Sequence, residues 1–187
     1  YALANDHEKA KHTALQIYGK YENQRAWCQI LKGEELVSHI QNSIIQTLPD
    51  IHFMLKYILE TPCYTTKEKI TLYRKMIEIY SIIDECHNWP VGMFFSYQLY
   101  LQIAVLSMEF DDTIECLNAL NSAADLAVQI DLLPCEGFPD SLLLNRINFE
   151  YLYGAESERE LLRKELDTES AFDPLRETPE YAMVIAK

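Results

Sequence analysis

Residues 91–108 read VGMFFSYQLYLQIAVLSM, and this stretch decides the fold class because it is apolar on almost every side of a helix. It is shorter than the roughly 20 apolar residues that a bilayer-spanning helix needs, and two serines and two glutamines interrupt it. A helix that is apolar all round must be covered on several sides. We therefore predict a buried helix from Gly92 to Ser107 that lies between neighbouring helices.

Amphipathic helices are predicted on both sides of this buried helix, because apolar residues recur at steps of three and four. Two capping boxes, Thr65 with Glu68 and Ser157 with Glu160, mark helix starts. Pro49 lies inside one apolar stripe and is expected to kink or break that helix. The other predicted helices are Ala2–Tyr18, Asn23–Leu31, Glu34–Leu59, Thr66–Asp84 and Asp111–Ile130, followed by shorter ones that begin after Ser157, Asp173 and Thr178, the last two with a proline at the first helical position.

The expected architecture is all-α. Only 5 Gly and 7 Pro occur in 187 residues, and no segment alternates polar and apolar residues long enough to predict a sheet. Helices joined by short turns pack as antiparallel neighbours. We expect residues 1–187 to form a single helical domain, a stack of antiparallel helix pairs built as a bundle or a short solenoid.

Charge and cysteine content restrict the class of partner and the compartment. The formal net charge of -13 repels phosphate backbones and anionic lipid, so the chain itself is not expected to bind nucleic acid or a membrane surface. Five cysteines, with no CxxC pair and no signal peptide, predict reduced thiols in the cytoplasm. The chain starts at Tyr1 and its helical pattern begins at once, which we interpret as part of a longer polypeptide.

No catalytic or metal-binding motif occurs in the sequence. It contains no GxSxG, SxxK, Walker or HExxH pattern, and its glycines are too scattered to form a phosphate-binding loop. Cys86 and His87 are adjacent, but adjacent side chains point to different sides of a helix. The prediction is a non-catalytic protein without a metal or an organic cofactor.

Two kinds of side chain are candidates for a binding groove. Twelve tyrosines occur, and a tyrosine can either complete a core with its hydroxyl at the edge or line a groove for a peptide or small molecule. Gln98 and Gln102 lie one turn apart on the apolar helix, where their amides need partners inside the protein, from water or from a ligand. Arg146, next to Asn145, is either an ion-pair partner of an acidic group or a residue with a specific binding role.

The helix pair from Tyr97 to Val128 resembles a tetratricopeptide repeat. The turn Glu109-Phe110-Asp111-Asp112 aligns with the turn of that family, and Phe110 then takes the position of the turn aromatic. Met108 stands where the repeat usually has glycine. The resemblance implies that Phe95, Gln98, Gln102 and Val105 face the concave side, which commonly receives ligands.

A wider resemblance covers nearly the whole chain. Four short motifs occur in order: ILKGEEL at 30–36, YTTKEKI at 64–70, SLLLNR at 141–146 and FDPLR at 172–176. In order and spacing they look like the C-terminal helical region of bacterial transcriptional regulators whose N-terminus is a Cro/repressor-type helix-turn-helix, the xenobiotic-response-element family. The resemblance implies a signal-sensing or oligomerisation domain, with DNA bound only through a helix-turn-helix upstream of Tyr1.

The sequence therefore supports two hypotheses about function. The first is the regulatory domain of a bacterial transcriptional regulator, with Phe95, Gln98, Gln102, Val105, Asn145 and Arg146 as candidate groove residues. Its partner could be a peptide, a small-molecule effector, another protein or a second copy of the chain. The second hypothesis is a free-standing tetratricopeptide-like adaptor that binds a protein. A helix-turn-helix encoded upstream of Tyr1 would distinguish the first from the second.

Overall fold

The computed structural model describes residues 6–15, 20–151 and 154–187, and these residues are predominantly helical. The all-α prediction is confirmed. The chain divides into two compact units, residues 1–51 and residues 52–187. In chain order the first helices are α1 (His7–Leu15), α2 (Lys20–Ile30) and α3 (Gly33–Glu60), and the unit boundary falls within α3.

The first unit has a small apolar core. Ala10 and Ala14 of α1 pack with Ile30 of α2, and partly buried Trp27 lies against them. Gly33 takes the positive φ of 56° with which the chain enters α3. The predicted first helix, 2–18, extends beyond α1 at both ends, and residues 2–5 and 16–18 lie outside the described part of the chain.

Pro49 lies inside α3 and does not break it, so of the kink or break predicted there the break is wrong. An interior proline removes one helical hydrogen bond and costs about 3 kcal/mol or more. Buried leucines lie on both sides of it, with Leu48 3% exposed and Leu59 2% exposed. Burying one such side chain is worth about 1.5–3 kcal/mol, so packing of the flanking turns offsets the loss and the helix continues.

The second unit is a group of helices packed around α5 and α6. The strongest packing joins α5 to α6, and α4 packs on α5 while α7 and α8 pack on α6. Four alanines of α6 are buried, and their small side chains let its backbone approach its neighbours closely. The elements are α4 (Thr66–Ile83), α5 (Pro90–Met108), α6 (Thr113–Leu132), α7 (Glu158–Thr168), a 3-10 helix (Ser170–Leu175) and α8 (Pro179–Ile185).

Among the described residues, α5 is the helix long and apolar enough to cross a membrane by length and composition alone. In this unit it is packed among other helices. Ten of its residues are buried, including Tyr97, Leu101 and Ile103. This burial agrees with the sequence-based interpretation of a core helix.

Both predicted capping boxes are present. Thr65 and Glu68 satisfy each other's backbone amides at the start of α4, and Ser157 and Glu160 do so at the start of α7. Thr178 also caps α8 as predicted, with a proline at the first helical position. Each such cap contributes about 1 kcal/mol.

The predicted cap at Asp173 is wrong. The 3-10 helix begins earlier, at Ser170, and its amide at Ala171 is capped by Glu169, so that Pro174 lies inside the element. Phe172 and Leu175 are buried in the core. Insertion of these two apolar side chains determines where the turn forms, and the local Asp-Pro signal does not.

The expectation of no sheet is also wrong, although the sheet is minimal. Strands β1 (Glu136–Gly137) and β2 (Phe149–Glu150) pair antiparallel, with Glu136 opposite Glu150. A ladder of two residues per strand is too short to leave an alternating pattern in the sequence. Ser141 connects the loop between the strands to the end of α4. Its hydroxyl donates to the Ile83 carbonyl oxygen and, at 2.6 Å, to the Glu85 carboxylate.

A buried carboxylate organises the turn between α4 and α5. Asp84 is 2% exposed, and it accepts hydrogen bonds from the backbone amides of Asn88 at 3.2 Å and Trp89 at 2.9 Å. Burial raises the pKa of Asp84, although these two amides oppose the shift. The Trp89 ring packs so closely on Gly92 that a Cβ at residue 92 would lie 2.5 Å from ring atom Cε3.

Candidate functional site

Three helices of the second unit enclose a groove of about 320 Å³. Its floor and walls come from the last turns of α3, from one face of α4 and from the middle of α5. The apolar lining is four leucines, and the polar lining includes two lysines, two glutamines and a tyrosine. The lining residues are His52, Leu55, Lys56, Leu59, Glu60, Lys69, Tyr73, Gln98, Leu99, Gln102 and Leu106.

His52 fixes the α3 wall of the groove against the other two helices. Its ring stacks on Phe95 of α5, with 4.4 Å between centroids and 20° between planes, and its Nδ1 lies 3.0 Å from the Tyr80 hydroxyl oxygen of α4. Burial, with a smaller contribution from Lys56, lowers the pKa of His52 below 6.5. The imidazole is therefore neutral at pH 7 and adds no charge to the groove.

The two lysines carry the positive charge of the groove. Neither Lys56 nor Lys69 forms an ion pair with any residue that the structure describes. Glu60 is the acidic member of the lining. It lies close enough to Tyr73 to add to burial in raising the pKa of that phenol, so Tyr73 remains a hydrogen-bond donor at neutral pH.

The structure brings two of the candidate residues, Gln98 and Gln102, into the groove. Gln98 is half-buried and Gln102 is exposed, and neither amide bonds to another residue in the described part of the chain. Phe95 lies behind the groove under His52. Val105 is half-buried and packs against the main core of the unit.

The remaining candidates lie elsewhere. Asn145 and Arg146 occupy the turn that follows Ser141, and neither belongs to the lining of this groove. Both have interactions within the protein. Arg146 does not line this groove, and both interpretations of its role stay predictions.

Sequence reasoning missed His52, Lys56 and Lys69. In the sequence these residues belong to the polar positions of two separate amphipathic helices, and nothing local indicates that they share a groove. The tyrosines divide between two environments: Tyr80 and Tyr97 are 1% exposed core residues, whereas Tyr73 lines the groove.

Two further grooves in this unit have a different charge. One, of about 410 Å³ between α4, α5 and α6, is lined by the carboxylates of Glu78, Asp84 and Asp125 and by no lysine or arginine. The other, of about 680 Å³, combines two basic residues with three acidic ones, and its Arg74 is already paired with Glu115. The groove at Gln98 is thus distinguished by its excess of lysine.

The described residues contain no metal-binding group, and of their five free cysteines four are exposed and one is buried. No group of three His, Cys, Asp or Glu side chains in that part of the chain could hold a metal ion. Cys116 is buried, and burial raises the pKa of its thiol to about 12, which keeps it protonated.

Comparisons of the chain with protein-family models, with curated proteins and with solved structures find no match.

Proposed function

We propose that the chain is the signal-sensing domain of a bacterial transcriptional regulator, that it is not itself catalytic, and that its effector binds in the groove between α3, α4 and α5. The observation that carries this proposal is the groove lined by Gln98 and Gln102. These amides face a concave surface and have no hydrogen-bonding partner among the described residues. Amides in that position are free to bind an effector.

The resemblance of four ordered sequence motifs to the helical region of Cro/repressor-type regulators supports the regulatory part of the proposal. The charge of -13 is consistent with it, since DNA would then be contacted by a separate helix-turn-helix. A reduced, cytoplasmic protein would suit such a role.

A mobility-shift assay with duplex DNA tests whether DNA binding requires a separate helix-turn-helix. The purified chain should not retard the duplex at physiological salt, whereas the product of the gene with its sequence upstream of Tyr1 should do so. Retardation by the chain alone at moderate salt would contradict the proposal, as would the absence of a helix-turn-helix from the upstream sequence.

A strip of exposed apolar side chains on α3 favours a second candidate function, a tetratricopeptide-like adaptor that binds a protein. Phe53, Met54, Tyr57 and Ile58 are between 46% and 70% exposed and occupy successive turns of one helix face. Exposed apolar area of this kind is common at protein interfaces. The upstream sequence distinguishes this candidate from the first, because an adaptor needs no helix-turn-helix.

A further inference from the structure

The lining of the groove has a positive net charge, whereas the chain as a whole is negative. Lys56 and Lys69 face Glu60 alone among the charged lining residues, which gives the groove an excess of one positive charge. The chain as a whole carries -13, and the two further grooves described above are lined by more acidic than basic residues. A positive concavity in an acidic protein concentrates anions locally.

The two lysines are also available to a ligand. Some of the described lysines are paired, such as Lys11 with Glu35 at 2.6 Å and Lys187 with Asp125 at 2.7 Å, whereas Lys32, Lys67 and Lys75 have no ion pair with a described residue. Twenty-nine acidic residues offer many such partners. Lys56 and Lys69 belong to this second group, so no ion pair with a described residue stands between them and a ligand in the groove.

The neutral polar groups beside the lysines are hydrogen-bond donors. The Gln98 and Gln102 amides each provide an N–H₂ group, and the Tyr73 hydroxyl stays protonated. The apolar part of the lining consists of Leu55, Leu59, Leu99 and Leu106. A lining that combines cationic and donor groups with apolar side chains matches a ligand with an anionic head and an apolar body.

We propose that this groove binds an amphipathic organic anion, whose carboxylate or phosphate head lies between Lys56 and Lys69 and whose apolar part lies on the leucines. The inference rests on the proposed function in taking this groove as the effector site. Both head groups share the negative charge and the acceptor oxygens that lysine and amide donors recognise. The volume of about 320 Å³ suits a small molecule.

Titration calorimetry with matched probes tests the charge requirement. Octanoate and octyl phosphate supply the two anionic heads, and octan-1-ol supplies the same apolar chain without charge. We expect both anions to bind more tightly than the alcohol and to weaken as salt is added. The tighter of the two anions identifies the head group.

Variants assign the effect to the lysines. Lys56→Met with Lys69→Met should weaken anion binding about tenfold or more, since hydrogen bonds to charged groups are the stronger ones, and should leave octanol binding unchanged. Lys32→Met with Lys75→Met is the matched control, because both of these lysines are exposed and lie outside the groove. It should bind all three probes as the original chain does.

A charge reversal supplies an independent readout. Lys56→Glu with Lys69→Glu should lose anion binding and acquire affinity for octylamine, a result that general loss of structure could not produce. The inference would be overturned if the anions bound no more tightly than octanol and the Lys56 and Lys69 changes had no effect on their binding. The groove would then remain a binding site. Failure of all probes to bind the original chain would overturn both the inference and the groove as the effector site.

Discussion

Replacement of both groove glutamines by leucine should leave the protein as stable as before or make it more stable. Gln98 is half-buried, Gln102 is exposed, and neither bonds to another described residue. The double variant Gln98→Leu, Gln102→Leu therefore removes no hydrogen bond within the described part of the protein. It adds apolar surface next to Leu99 and Leu106.

The size of the change in stability depends on whether the replacement leaves buried hydrogen-bond partners unpaired. If each amide held a buried partner, the two losses would cost about 1–3 kcal/mol each, or about 2–6 kcal/mol together. For a chain of this size 1 kcal/mol corresponds to about 2–4 °C in Tm, so the fall would be at least about 4 °C. Without such partners, we expect Tm to change by less than about 4 °C, and upward if the new side chains pack.

The assay is a thermal melt followed by circular dichroism. Ser141→Ala serves as the positive control, because the Ser141 side chain is buried and bridges the Ile83 carbonyl and the Glu85 carboxylate. That variant should melt several degrees lower. If the proposed function is right, the glutamine variant should also lose the response to the effector.

A drop of more than about 4 °C in the glutamine variant would refute the reasoning, since losses of that size follow from stranded buried partners. The two amides would then be structural. An unchanged Tm with an unchanged effector response would instead remove these residues from the proposed site.

Three further predictions concern stability. Asp84→Ala leaves two backbone amides, one of them that of Trp89, without their acceptor and should lower stability by about 2–6 kcal/mol. Asp84→Asn keeps an acceptor oxygen and should lower stability less. Chemical denaturation would measure both variants, and equal losses would contradict the argument. Gly92→Ala places a methyl group 2.5 Å from the Trp89 ring and should lower Tm. Gly154→Ala is the control, because no atom lies nearer than 3.7 Å to the added methyl group, and its Tm should not fall. Equal Tm values for the two variants would count against the close contact. Burial raises the pKa of Glu158 above 4.5. The stability that this carboxyl group contributes is therefore present below pH 4.5 and is lost as the pH rises through its pKa in the folded protein. Glu158→Gln should raise Tm at pH 7 and make Tm less dependent on pH, and a lower Tm of this variant at pH 7 would contradict the argument.

The helices were predictable because several local signals agree at the same residues. For α4 the capping box at Thr65 marks the start, the apolar stripe gives the face, and the predicted end at Asp84 differs by one residue from the observed end at Ile83. The buried α5 was predictable from composition alone. Where the outcome depends on distant packing, local signals fail: Phe172 and Leu175 place the 3-10 turn, and Asp173 with its proline does not.

The groove was predictable only in part, for the same reason. Gln98 and Gln102 stand out in the sequence because they are polar on an apolar helix. Lys56 and Lys69 are ordinary in their own helices, and their meeting depends on how the end of α3 packs on α4 and α5 through His52. A tertiary arrangement of this kind leaves no trace in spacing along the chain.

The position of the two tryptophans makes each unit optically distinguishable. Trp89 is 1% exposed in the second unit, and Trp27 is a partly exposed residue of the first. With only 2 tryptophans in the chain, the tryptophan emission of a Trp27→Phe variant would come from the second unit alone, and that of a Trp89→Phe variant from the first alone. Intrinsic fluorescence could then follow the melting of each unit separately, without any added label.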